Sequence, residues 1–171
     1  ALSTALANGK DADAIIEQDA ASKAAALGIE VRTETRVIKL DRKKKRLTTA
    51  KGGIEYGQLV LALGASQSKL TITGDAADDI LRVNDLKTYR SLRHRLAQNL
   101  RHVTILGAGL IGCEFAEDLI SAGYEVSVID PTDQPLASLL PASAAQHLHM
   151  RLQDKGVQWR FHVTLDSLET S

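Results

Sequence analysis

Two short stretches are rich in β-branched apolar residues, Val103 to Leu106 and Glu125 to Ile129. Between them Leu110 to Ser121 repeats its apolar positions at helical spacing and stops before Gly123. Such a change of period predicts a strand, a helix and a second strand. Pro131, Pro135 and Pro141 punctuate the loop that follows. A helix over 142–155 and a strand over 157–161 then continue the alternation. Strands that alternate with helices build a parallel sheet, so the second half is predicted to be α/β, a doubly wound parallel sheet.

The first half is less regular. Residues 11–27 are predicted to form a helix with Ala14, Ile15, Ala21, Ala25 and Ala26 toward a core and Gly28 as its stop. A short strand over 29–32 should follow. Strands over 35–40 and 46–49 flank a basic turn, because Val37, Ile38, Leu40, Leu47 and Thr48 favour β-structure. Lys51-Gly52-Gly53 marks another turn, and Ile54 to Tyr56 leads on to Leu59-Val60-Leu61-Ala62-Leu63. That nearly continuous apolar run suits a strand buried on both faces of a parallel sheet. Residues 66–74 show no strong period and are expected to cross between domains. A helix over 86–100 should then bury Leu86, Tyr89, Leu92, Leu96 and Leu100.

The 171 residues, 44% apolar, suffice for one full domain or parts of two. No apolar run approaches the ~20 residues needed to cross a bilayer, so no membrane insertion is expected. Ala1-Leu2-Ser3-Thr4-Ala5 lacks the charged-then-apolar order of a signal peptide, which makes a cytoplasmic protein the default expectation. The chain starts without methionine and stops just after a predicted strand, as a piece of a longer protein would. Lys and Arg balance Asp and Glu at 21 each, which argues against nucleic acid as a partner. Locally the balance fails. Arg32, Arg36, Lys39, Arg42, Lys43, Lys44, Lys45, Arg46 and Lys51 face only Glu34 and Asp41 in their stretch. A solvated turn and a docking surface for an acidic partner both fit.

The chemistry concentrates at Gly107-x-Gly109-x-x-Gly112. A glycine loop between a strand and a helix lets phosphate oxygens meet unpaired backbone donors. Gly107 permits the tight turn, Gly109 lets the backbone approach a pyrophosphate, and Gly112 lets helix and strand pack closely. The N–H groups near Leu110 and Ile111 should point at the ligand. Asp130 closes the second strand eighteen residues after Gly112 and can accept hydrogen bonds from a ribose. An acid there repels a 2′-phosphate, and no arginine follows before Pro141, so NADH is expected rather than NADPH. Glu114 is placed inside the first helical turn, where two roles fit equally: a helix-start acid, or a group facing the reacting end of the cofactor. Cys113, the single cysteine, has no partner for a disulfide and reads as a small buried residue. His147 and His149 lie on different helix faces, so no metal site and no catalytic side chain is assigned.

Leu2-Ser3-Thr4-Ala5-Leu6 with Gly9-Lys10-Asp11-Ala12-Asp13, Leu59 to Ala65, and Gly107 to Ala116 together resemble the flavoprotein pyridine nucleotide oxidoreductases, and within them the rubredoxin reductases. Ala62-Leu63-Gly64 departs from that family's pattern in carrying Leu63 where a threonine is usual. The resemblance implies that residues 1–66 are the later part of an FAD-binding domain and 67–171 an NAD(H)-binding domain, incomplete at its C-terminus. It also implies that Val37, Ala62 and Gly64 lie against FAD, and that Glu114 sits near the flavin and the nicotinamide. The implied activity is hydride transfer from NADH to FAD and then single-electron transfer to rubredoxin, an acidic acceptor. Ferredoxin or flavorubredoxin reductases of the same architecture, and a non-catalytic NAD-binding regulatory module, are the alternatives. The lack of any cysteine between Ser66 and His102 speaks against a thioredoxin reductase.

Overall fold

The computed structural model describes residues 1–67 and 70–170, so part of the crossing expected over 66–74 lies outside the described residues. In chain order the elements are α1 (Leu2–Ala7), α2 (Ala20–Leu27), β1 (Val37–Asp41), β2 (Arg46–Thr49), β3 (Gly52–Glu55), α3 (Leu86–Leu96), β4 (His102–Leu106), α4 (Leu110–Ser121), β5 (Glu125–Asp130), α5 (Ala142–Asp154) and β6 (Gln158–Phe161). Two compact units contain them: Ala1–Ile15 with Gln67–Ser171, and Ile16–Ser66.

The larger unit is built on a parallel sheet of order β4-β5-β6, with Val103 opposite Val126 and Val128 opposite Trp159. Neighbouring parallel strands need a crossover between them, and α4 and α5 supply it. Helix α4 buries Cys113, Ala116 and Leu119, three residues apart and therefore on one face. Val126 and Val128 of β5 are fully buried in the same core as Ala116 and Leu119. Burying a side chain of that size contributes roughly 1.5–3 kcal/mol. The doubly wound α/β pattern expected for this half is the one observed.

Helix α3 starts at a capping box in which the Asp85 carboxylate accepts from the Thr88 N–H at 2.8 Å and the Thr88 hydroxyl faces back to the cap. It ends at Leu96 rather than Leu100. Asn99 adopts a left-handed backbone, φ 62°, which terminates the helix and leaves Leu100 exposed. Helix α1 has no counterpart in the expected pattern, since six residues are too few to show a period.

In the smaller unit β1, β2 and β3 form an antiparallel meander with Leu47 opposite both Leu40 and Ile54. The turn expected at 51–53 is shorter, because Gly52 pairs with Thr49 and already belongs to β3. The helix expected over 11–27 forms only from Ala20. Asp19 accepts from the Ser22 N–H at 2.7 Å and caps it there, while residues 13–15 make a separate 3-10 turn. Ala14, Ala21, Ala25 and Ala26 are exposed, and of the expected core contacts only Ile15 packs on the core. Residues 29–32 form no strand. Neither do Leu59 to Leu63: Val60 and Leu63 are each 87% exposed. A strand requires a neighbour to satisfy its backbone groups, and none of the described residues pairs with this run.

Candidate functional site

Beyond β4 the backbone turns sharply at Gly107, φ 109°, a conformation L side chains rarely adopt. The Gly107 N–H donates to the Ile129 carbonyl at 2.9 Å, which ties the turn to β5. A Cβ on Gly112 would lie 2.0 Å from the Gly107 carbonyl oxygen, so only glycine lets α4 cross the loop this closely. Gly109 differs from both: a Cβ there would meet nothing within 4 Å. It is the N-cap of α4, and no side chain caps that end. Leu110 and Ile111 are more than half exposed. The first-turn N–H groups therefore stand on an open face without a side-chain acceptor, the arrangement an anion requires.

The Ala108 peptide is held on both sides. Its N–H donates to Asp130 Oδ2 at 2.6 Å, and its carbonyl accepts from the Leu136 N–H at 2.8 Å and from Cys113 Sγ at 3.4 Å. Asp130 Oδ1 accepts from the Thr132 N–H at 2.8 Å and from the Thr132 hydroxyl. Burial pushes the Asp130 carboxyl upward, but the bonds from Thr132 and Ala108 outweigh it and leave the group below its ordinary range. It is a carboxylate at neutral pH. Oδ2 braces the glycine loop and Oδ1 the turn at Thr132, and the residue itself is buried.

Burial, with the Asp130 charge second, pushes the Cys113 thiol up to about 11. Nucleophilic chemistry runs through the thiolate, so this thiol is a packing group and a weak donor to Ala108. Glu114 is exposed, and its side chain forms no hydrogen bond or ion pair with the described residues. As the fifth residue of α4 it stands one turn in, not inside the first turn as expected from the glycine spacing.

The loop, the helix start, Glu114 and Asp130 all belong to the larger unit, whereas Val37, Ala62 and Gly64 belong to the smaller. Val37 opens β1 and is 47% exposed; Ala62 and Gly64 lie in the irregular run after β3, where Gly64 takes φ 69°. Arg36, Lys39, Arg42, Lys43, Lys44, Lys45, Arg46 and Lys51 are exposed, and among the described residues only Arg32 of the basic stretch forms an ion pair, with Glu30. Asp41 accepts from the Lys44 N–H, so the acid of that hairpin shapes its turn. His149 packs edge-on against Trp159 and Phe161. Among the described residues no cluster of His, Cys, Asp and Glu could hold a metal, and no helix is long and apolar enough to cross a membrane.

Thr132 and Leu136 were not foreseen as part of the site. Thr132 follows the acid by two residues, the spacing of a side-chain-capped turn, which is a legible signal. Leu136 has none: it takes φ 53° beside the fully buried Pro135, and its contribution is a backbone N–H.

The family described as pyridine nucleotide-disulphide oxidoreductase matches residues 1–171. The chain is 40% identical over 172 residues to a rubredoxin-NAD(+) reductase of Acinetobacter baylyi, a match that covers 98% of this chain and 44% of that protein. It is 34% identical over 168 residues to a nitric oxide reductase FlRd-NAD(+) reductase of Aeromonas hydrophila, covering 98% and 42%. Among solved structures, a ferredoxin reductase from Rhodopseudomonas palustris superposes with a TM-score of 0.84 at 29% identity, over 99% of this chain and 42% of that one. The chain thus spans less than half the length of the relatives it matches.

Proposed function

The chain belongs to the pyridine nucleotide-disulphide oxidoreductase family, and on that footing we propose that it is part of an NADH-dependent flavoprotein reductase passing hydride from NADH to FAD and then single electrons to rubredoxin. The supporting observation is the braced glycine loop that opens an uncapped helix, with Asp130 beneath it. Two relatives named for rubredoxin as acceptor, at 40% and 39% identity, support the choice of partner. The reaction belongs in the cytoplasm, where the lone Cys113 thiol stays reduced.

The residues present fit NADH. The N–H groups at the start of α4 would hold its pyrophosphate, with the open side at Gly109 leaving room for the phosphates. Asp130 would accept from the adenosine ribose through the lone pairs that Ala108 and Thr132 leave free, and its charge disfavours a 2′-phosphate. Residues 1–66 would contribute part of an FAD site, with the exposed backbone at Val37, Ala62 and Gly64 against the flavin nucleotide, and 67–171 the NAD(H) domain. Glu114, exposed and unpaired, would stand at the nicotinamide end of α4. When bound, nicotinamide and flavin supply the hydride and electron chemistry. This chain's own residues anchor, orient and select.

The test is to express the full reading frame that contains this chain, record its visible spectrum, and follow reduction by NADH and by NADPH with rubredoxin, ferredoxin or flavorubredoxin as acceptor. Flavin absorbance, bleaching by NADH in preference to NADPH, and electron delivery to rubredoxin are the expected results. A purified protein without flavin would overturn the proposal, and a clear preference for flavorubredoxin would move the acceptor to that of the nitric oxide reductase relatives.

A further inference from the structure

Helix α1 has only six residues, too few to hold together unaided. Two things secure it. Leu6, 1% exposed, and Ala5 bury in the core that also contains Ala116 and Leu119 of α4. Its C-terminal end closes where the Gly9 N–H donates to the Leu6 carbonyl at 2.9 Å and the Lys10 N–H to the Ala5 carbonyl at 2.8 Å. Immediately beyond that closure, α3 grips the chain. The Tyr89 hydroxyl donates to the Lys10 carbonyl at 2.7 Å, and Tyr89 is fully buried. Arg93 donates to Asp11 Oδ1 at 3.2 Å and to the Gly9 carbonyl at 3.4 Å, while Arg90 pairs with Asp13.

We infer that Tyr89, with Arg93 and Arg90, is a positioning group for hydride transfer: the clasp on Gly9–Asp13 seats α1 along the nucleotide helix α4. It rests on the proposed function, in which Leu2 to Asp13 belong to the flavin-binding part and α4 carries the nicotinamide nucleotide. Exposed ion pairs on their own contribute little, so the buried tyrosine is the fixed point and the arginines set direction. Slack at Lys10 would let α1 slide against α4. Transfer between two bound rings is steep in distance and orientation, and a displacement of about 1 Å can cost as much as ~100-fold in rate. The Tyr89 hydroxyl bonds Lys10 and not the loop of α4, so NADH affinity is expected to be independent of it.

The flavin-loaded full-length protein tests this through three variants: Tyr89→Phe, Arg93→Ala, and, as a control on the same helix, Arg95→Ala, whose ion pair reaches Asp79 and leaves residues 9–13 alone. Two quantities are read: the single-turnover rate of flavin reduction by NADH, and amide hydrogen exchange over residues 2–13. Tyr89→Phe is expected to slow flavin reduction roughly tenfold, to leave NADH affinity within about twofold, and to speed exchange in 2–13. Arg93→Ala should act in the same sense more weakly, and Arg95→Ala should do neither. If Tyr89→Phe fails to fold, the half-buried Arg93 carries both measurements. Faster exchange with an unchanged reduction rate would make the clasp a purely structural grip and overturn the inference, as would unchanged exchange. A wild-type protein without flavin would instead sink the proposed function itself, a result separable from a flavin-loaded protein whose rate ignores Tyr89.

Discussion

The two sheets of this protein are made from the same residue types and end in opposite environments. In β5, Val126 and Val128 are fully buried; in β1, Val37 and Ile38 are 47% and 67% exposed. The parallel strands are joined through helices, so the crossovers that connect them also cover a face. The antiparallel meander is joined by tight turns, which connect strands and cover nothing. Apolar side chains announce that a surface is to be covered. Whether the described chain provides the cover depends on the kind of connection between strands.

That contrast can be broken or sharpened by substitution, with urea denaturation and NADH titration of the chain as the measurements. The largest effect is expected from Gly112→Ala, whose Cβ would enter the Gly107 carbonyl. A clash with backbone cannot be relieved by a rotamer change, and the loss should reach about 3 kcal/mol with NADH binding abolished. Gly109→Ala separates packing from binding at the same loop: with open space around its Cβ, stability should hold while NADH affinity falls by tenfold or more. Stability lost at position 109 would mean that this loop is packed on both sides.

Val128→Ala, in the covered sheet, should cost about 2 kcal/mol. Ile38→Ser, in the uncovered one, should stay within about 0.5 kcal/mol of wild type. Equal losses at the two positions would show that the meander is as well covered as the parallel sheet.

Asp130→Asn should fall between these, with a pH signature. The native carboxyl lies below its ordinary value of 3.8, so the stability it contributes is present above that value and is lost as pH falls through the lower native one. The difference between wild type and Asp130→Asn should be constant from neutrality to about pH 5 and shrink below it. A difference independent of pH down to acid unfolding would mean that the carboxylate charge is not what braces Ala108. The smallest effect concerns Cys113: with its thiol pushed up to about 11, alkylation at pH 8 should be slow in the native chain and fast in urea. Rapid native alkylation would contradict the packing of α4 on the loop.

Much of the nucleotide site was legible because its elements are local. Gly107, Gly109 and Gly112 lie within six residues, and the strand and helix beside them carry their own periods. Asp130 was legible as the end of the second strand, but its clamp on Ala108 joins residues twenty-two apart and has no local signature. The helix expected over 11–27 is shorter because its alanines favour a helix wherever it starts, and of the aspartates at 11, 13 and 19 it is Asp19 that caps it and sets the start at Ala20. Leu59 to Leu63 was overread for a different reason. An apolar run specifies a wish for burial and not a partner.

The sequence by itself determined the parallel α/β order of the second half, the glycine loop at a helix start and an acid at the end of the next strand, since each is written in neighbouring residues as period, turn chemistry and caps. Only the tertiary structure decided that Asp130 and Leu136 hold the Ala108 peptide between them and that Tyr89 fastens Lys10 just beyond α1. Those are contacts between residues distant along the chain. No periodicity encodes them, because they depend on where packing brings separate elements together.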